Sequence, residues 1–147
     1  MTDLESPLEI ENFIRSNGDI PQSNYFVAEK SWKPSLQLRG SNSYIWTYFS
    51  RKPYLLIFTE EELILHNYWG KSNDKNRHIP LREIKNFDIE ILTPFNEYCL
   101  SFDHEKKFYF YIKSKENILD IISDNEEFSL KNFNSLIEKN FFGLLNS

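Results

Sequence analysis

Three successive stretches of this chain alternate apolar and polar residues with a period of two: Phe87, Ile89 and Ile91, then Tyr98, Leu100 and Phe102, then Phe108, Phe110 and Ile112. Side chains of a strand point to opposite faces in turn, whereas a helix repeats every 3.6 residues, so only strands gather these side chains on common faces. Asn86, Asp88 and Glu90 take the opposite, wet face of the first stretch. Asp103-His104-Glu105-Lys106 is polar enough to be the tip of a hairpin between the second and third. An antiparallel sheet with one dry face follows, and the dry face needs a cover.

Upstream the strand signal continues. Residues 44–50 are rich in aromatic and β-branched side chains, and Arg51-Lys52-Pro53 breaks them off. Tyr54-Leu55-Leu56-Ile57-Phe58 is apolar without a gap, as in a strand covered on both faces or lying deep in a barrel wall. A polar turn, Thr59-Glu60-Glu61-Glu62, leads to residues 63–69, with Leu63, Leu65 and Trp69 on one face and Ile64, His66 and Tyr68 on the other. Residues 70–78 read as a polar loop. Residues 17–43 are irregular, with one strand at 25–30.

Both ends read as helix. Ser6-Pro7-Leu8-Glu9 places a capping serine, a first-turn proline and a reciprocal glutamate in order. A helix over 7–16 then carries Leu8, Ile10, Phe13 and Ile14 as its apolar stripe. Ile118, Ile121 and Ile122 suggest a short helix from about Ser114. A last helix begins after Ser129, with Leu130, Phe133, Ile137, Phe141 and Leu144 on one stripe and Lys131, Asn132, Asn134 and Glu138 facing water.

Composition removes whole classes of chemistry. The four glycines lie far apart, so no glycine-rich loop can cradle a phosphate. The one cysteine, Cys99, cannot close an internal disulfide, which points to a reducing cytoplasm. The N-terminus is acidic and lacks the apolar run of a signal peptide, and no apolar run approaches the roughly 20 residues a membrane-crossing helix needs. His66, His78 and His104 are not spaced as metal ligands, there is no Cys-x-x-Cys pair and no Gly-x-Ser-x-Gly elbow. No cofactor, metal or catalytic residue is expected. A net charge of −5 argues against nucleic acid. That charge is uneven: residues 30–85 hold ten Lys/Arg against five acids, between acidic ends.

The run Tyr54-Leu55-Leu56-Ile57-Phe58-Thr59, the second apolar strand Leu63-Ile64-Leu65, and His78-Ile79-Pro80-Leu81-Arg82-Glu83-Ile84-Lys85-Asn86-Phe87 after a polar loop form a pattern. With the hairpin and closing helix that follow, residues 44–145 resemble the bacterial pleckstrin-homology-like (PH-like) domain family. The resemblance implies an α+β fold: a PH-like bent antiparallel sheet, or partly open barrel, capped by a C-terminal amphipathic helix. The N-terminal helix and residues up to 43 would be an addition to a domain at 44–147, the whole forming one globular unit. Lipid-binding members carry a spaced basic cluster between the first two strands, where this chain has only Arg51 and Lys52 before Pro53.

Function is expected at the places where aromatic and basic residues interleave: Arg51, Lys52, Trp69, Lys71, Lys75 and Arg77, in the segments 51–53 and 70–78. Trp32-Lys33 has the same character. The expected function is a non-enzymatic interaction module with a protein partner, for example one adding a strand to an exposed sheet edge. The alternatives are a peripheral binder of anionic membrane through those cations, and a small enzyme with an unrecognised site.

Overall fold

The structure, a computed structural model, describes residues 7–16, 18, 21–31, 52–67, 76–92, 97–113 and 124–146. In chain order the elements are α1 (Pro7–Ser16), β1 (Tyr25–Lys30), β2 (Lys52–Phe58), β3 (Glu62–Asn67), β4 (Asn76–Pro80), β5 (Lys85–Leu92), β6 (Glu97–His104), β7 (Lys106–Lys113) and α2 (Asp124–Glu138), followed by a turn at Asn140–Asn146. The strands form one antiparallel sheet in the order β4-β3-β2-β1-β7-β6-β5. With a helix at each end of the chain, this is an α+β, PH-like architecture.

The sheet bends at β1. That strand pairs with β2 along its whole length, from Tyr25 opposite Ile57 to Lys30 opposite Lys52. It pairs with β7 only at Glu29 and Lys30, opposite Tyr111 and Phe110. Helix α2 fills the wedge where β1 and β7 part. Ser129 Oγ accepts the Val27 N–H at 2.8 Å, and Asn132 Nδ2 donates to the Tyr25 carbonyl at 2.9 Å. Asn132, expected to face water, is therefore buried, as is Ser129. The reason is backbone accounting: strand groups that lose their neighbour inside a protein must find another partner.

The interior is aromatic. Phe26, Phe58, Phe102, Phe110, Phe133 and Phe141 are all fully buried in one cluster. Their source is the alternation itself, since Phe26 and Ala28, Leu56 and Phe58, Leu63 and Leu65, Leu100 and Phe102 share the concave face. The opposite parity explains the unbroken run in β2. Leu55 and Ile57 point outward and pack with Ile64 and Tyr25 beneath Ile10 and Ile14 of α1. Leu8, expected on the same stripe, is 65% exposed, because α1 lays only its 10–14 side on the sheet.

Three boundaries differ from the sequence reading. Strand β4 occupies Asn76–Pro80 and takes in the end of the polar loop expected at 70–78, because pairing of Leu63 with Ile79 and Leu65 with Arg77 extends the sheet through polar residues. The hairpin tip shrinks to Glu105 alone, in a left-handed conformation with φ 67°. The final helix starts at Asp124 and ends at Glu138, and Asn140, Phe141, Phe142 and Gly143 all then have positive φ. A left-handed residue other than glycine costs about 1–2 kcal/mol. What offsets it is Phe141, whose ring this reversal delivers against Phe26, Phe58, Phe87 and Phe133. The expected strand at 44–50, the Ser6 cap and the helix from Ser114 lie outside the described residues.

Candidate functional site

Helix α2 and the final turn close one end of the interior, through contacts such as Phe133 with Phe26 and Tyr98. The other end is formed by the far ends of β1, β2, β4 and β7. There the inward parity runs on past the last apolar residue. Lys30 follows Phe26 and Ala28, Lys52 precedes Tyr54 and Leu56, Arg77 precedes Ile79, and Lys106 precedes Phe108 and Phe110. Every strand of this group thus ends its concave-facing row on a cation.

Lys30, Arg77 and Lys106 meet around aromatic rings, with Lys52 directly across the strands from Lys30. The Lys30 Nζ lies 5.1 Å from the centre of the Phe108 ring and 5.7 Å from that of Tyr54. The Arg77 guanidinium and the Lys106 Nζ each stand 5.4 Å from the same Phe108 ring. Each contact is a cation–π attraction worth about 0.5–1 kcal/mol at partly exposed positions. These attractions work against mutual repulsion. Burial lowers the Lys30 pKa from its ordinary value, and the charges of Lys106, Lys52 and Arg77 lower it further. Of the three charges, that of Lys106 acts on Lys30 most strongly.

Arg77 is the best anchored of the four. Its Nη2 donates to Glu105 Oε2 at 2.8 Å and reaches His104 Nδ1 at 3.1 Å. A guanidinium only donates, so Nδ1 accepts and the ring proton sits on Nε2, which lies 3.4 Å from Glu83 Oε1. The hairpin tip between β6 and β7 thereby holds Arg77 in place. Among the described residues, Glu105 is the carboxylate paired to Arg77, against four cations at the mouth.

Of the residues singled out in the sequence, Lys52 and Arg77 come together here. Arg51, Trp69, Lys71 and Lys75 lie outside the described residues, as do Trp32 and Lys33. Lys30 and Lys106 were missed. Strand parity could have found them, since each occupies the next inward position of a row of core residues.

Elsewhere the chemistry is quieter. His66 approaches Asn76 and the Phe13 ring, and His78 Nδ1 lies 3.1 Å from Glu62 Oε1, so the three histidines have separate surroundings. Cys99 is buried opposite Tyr111 on β7. Its thiol is pushed up to about 12 by burial, with Glu90, Glu97 and Asp88 adding and a Tyr111 hydrogen bond opposing. At the other end of β2 an open cleft of about 380 Å³ is lined by Gln22, Asn24, Thr59, Glu60, Glu61 and Phe142. Its buried polar side chains are already engaged: Asn24 bonds the Phe58 carbonyl and the Gln22 N–H, and Thr59 bonds the Glu62 backbone.

No family model matches the sequence, and no curated protein matches it. Among solved structures the chain is similar to the hSac2 domain from human phosphoinositide phosphatase Sac2, at 9% identity and a TM-score of 0.41, covering 90% of this chain and 80% of that one.

Proposed function

We propose that this protein is a non-enzymatic binding module whose basic mouth takes the phosphate-bearing headgroups of an anionic membrane surface. The observation that carries this reading is the convergence of Lys30, Arg77 and Lys106 on the Phe108 ring, at a cost visible in the lowered Lys30 pKa. An anion between these groups turns their repulsion into attraction. Each Lys or Arg near an acidic surface contributes about 1 kcal/mol, so the mouth is a weak, reversible contact rather than an anchor. The overall charge of −5 then helps orient the molecule, because the mouth gathers four cations of the described residues at one end of the sheet. Among the described residues no helix is long and apolar enough to cross a membrane, which suits a peripheral role. The cytoplasm, with its anionic leaflet and reducing poise, is the fitting compartment.

Co-sedimentation with vesicles tests this. Vesicles with phosphatidylserine should bind the protein, and neutral phosphatidylcholine vesicles should not. Replacing Lys30 and Arg77 by Gln should weaken binding by about 2 kcal/mol, roughly thirtyfold. Raising salt from about 0.1 to about 1 M shortens the screening length from about 10 to about 3 Å and should release the protein. Equal binding to neutral vesicles would refute the reading.

One observation favours a second reading, a protein partner. Ile91 is 63% exposed on β5, which is an edge of the sheet. An exposed apolar side chain beside an open ladder suits an added strand. A charged substitution, Ile91→Lys, should abolish capture of such a partner and leave vesicle binding unchanged.

A further inference from the structure

We infer that Lys30 is a selectively reactive amine that captures small phosphate-bearing carbonyl compounds as reversible imines. The inference deepens the reading of the mouth as an anion site and rests on it.

The geometry supplies both halves of such a capture. Lys52, Arg77 and Lys106 surround Lys30 from β2, β4 and β7, and offer a phosphate three positive groups. Arg77 keeps its place through Glu105 and His104. The Lys30 amine itself lies against the Tyr54 and Phe108 rings, half-buried, with the Lys106 charge acting on it most strongly of its neighbours. A lysine beside other cations and out of bulk water spends more of its time neutral, which is the nucleophilic form. An ordinary surface lysine such as Lys131 has no such surroundings.

The step balances without an oxidant or reductant. The Lys30 nitrogen lone pair attacks the carbonyl carbon, the carbonyl π bond breaks, and one of the two nitrogen protons passes to the oxygen, which becomes a hydroxyl. That hydroxyl takes a proton from the Lys106 ammonium and leaves as water while the C=N bond forms. The proton released from nitrogen restores Lys106. Hydrolysis reverses the sequence. Net, amine and carbonyl give imine and water. The cations hold the phosphate throughout, so a carbonyl compound without phosphate lacks the positioning.

The test uses pyridoxal 5′-phosphate as the probe on the full chain, borohydride to fix any imine, and peptide mapping to place it. Lys30 should be labelled at least about tenfold faster than exposed Lys107 and Lys131. Pyridoxal without phosphate should lose that preference, and inorganic phosphate should compete. Lys106→Gln should slow Lys30 labelling and leave Lys131 unchanged, with the circular dichroism spectrum intact. Lys30→Arg should remove the adduct, with the circular dichroism spectrum intact. Even labelling of all lysines with vesicle binding intact would overturn the imine inference alone. A Lys30 preference equally strong for phosphate-free pyridoxal would overturn the phosphate requirement and with it the anion reading.

Discussion

Ser129 on the C-terminal helix accepts a hydrogen bond at 2.8 Å from the backbone N–H of Val27, a donor that a neighbouring strand would otherwise have taken. Asn132, one helical turn on, serves the Tyr25 carbonyl in the same way. Two polar side chains thus allow β1 to leave β7 and the sheet to bend.

Removing either side chain leaves a strand group without its partner. Ser129→Ala and Asn132→Ala should each cost about 1–3 kcal/mol, the range for an unsatisfied buried polar group. Urea denaturation would measure the loss. Amide exchange at Val27 should accelerate in Ser129→Ala well beyond the change at Leu56, in the middle of β2. Unchanged exchange at Val27 would show that this bond does not hold the wedge.

Phe141 makes the second case. Its ring meets four others, and the backbone around it is left-handed from Asn140 to Gly143. Truncation to Ala should cost about 3–5 kcal/mol, as for other buried phenylalanines, and leave the left-handed turn with nothing to offset it. The melting temperature should fall further than for Ile137→Ala, a half-buried residue of α2. A smaller loss at Phe141 would mean that the turn is not fastened by the ring.

What could be read from the sequence divides along physical lines. The strands at 25–30 and 85–92, the hairpin of β6 and β7, and the helix at 7–16 were legible because each is a local pattern whose period the backbone imposes. Phe133 and Phe141 were legible as core because no other placement buries such rings. Strand β4 was not, since Asn76, Arg77 and His78 carry no strand preference and are held by pairing to β3. Asn132 was misread for the opposite reason, because a polar residue on an amphipathic helix ordinarily faces water, and Ser129 was placed before a helix that begins at Asp124. The basic mouth is assembled from four strands far apart in the chain. Its members were visible only as single charges until parity placed them on one face.

Cys99 should be inert in the folded protein. With the thiol pushed up to about 12, the thiolate at pH 8 is roughly one part in ten thousand. Burial adds a steric barrier. Reaction with a disulfide reagent should occur only on unfolding, and its rate should rise with urea in step with the unfolded fraction. Rapid modification of the native protein would contradict both the burial and the raised pKa.

The last prediction concerns Lys30 and pH. Its folded-state pKa lies below the ordinary 10.5, so between those two values the unfolded chain binds more protons and stability rises with pH. Below the folded-state pKa the repulsion is present in full. Replacing Lys30 by Met removes a like-charge pair with Lys52 directly across the strands, a contact that costs roughly 0.2–1 kcal/mol. Lys30→Met should therefore raise the melting temperature in the absence of anions and flatten its dependence on alkaline pH. Phosphate should do for the native protein what the substitution does for the variant. Bound between the cations, it raises the Lys30 pKa again and stabilises the fold by about 2.7 kcal/mol at a hundred times its dissociation constant. That gain should shrink as pH climbs toward 10.5, where Lys30 gives up its proton in either state. Lys30→Met should show a reduced gain at every pH. A phosphate effect equal in both proteins would place the anion elsewhere on the surface.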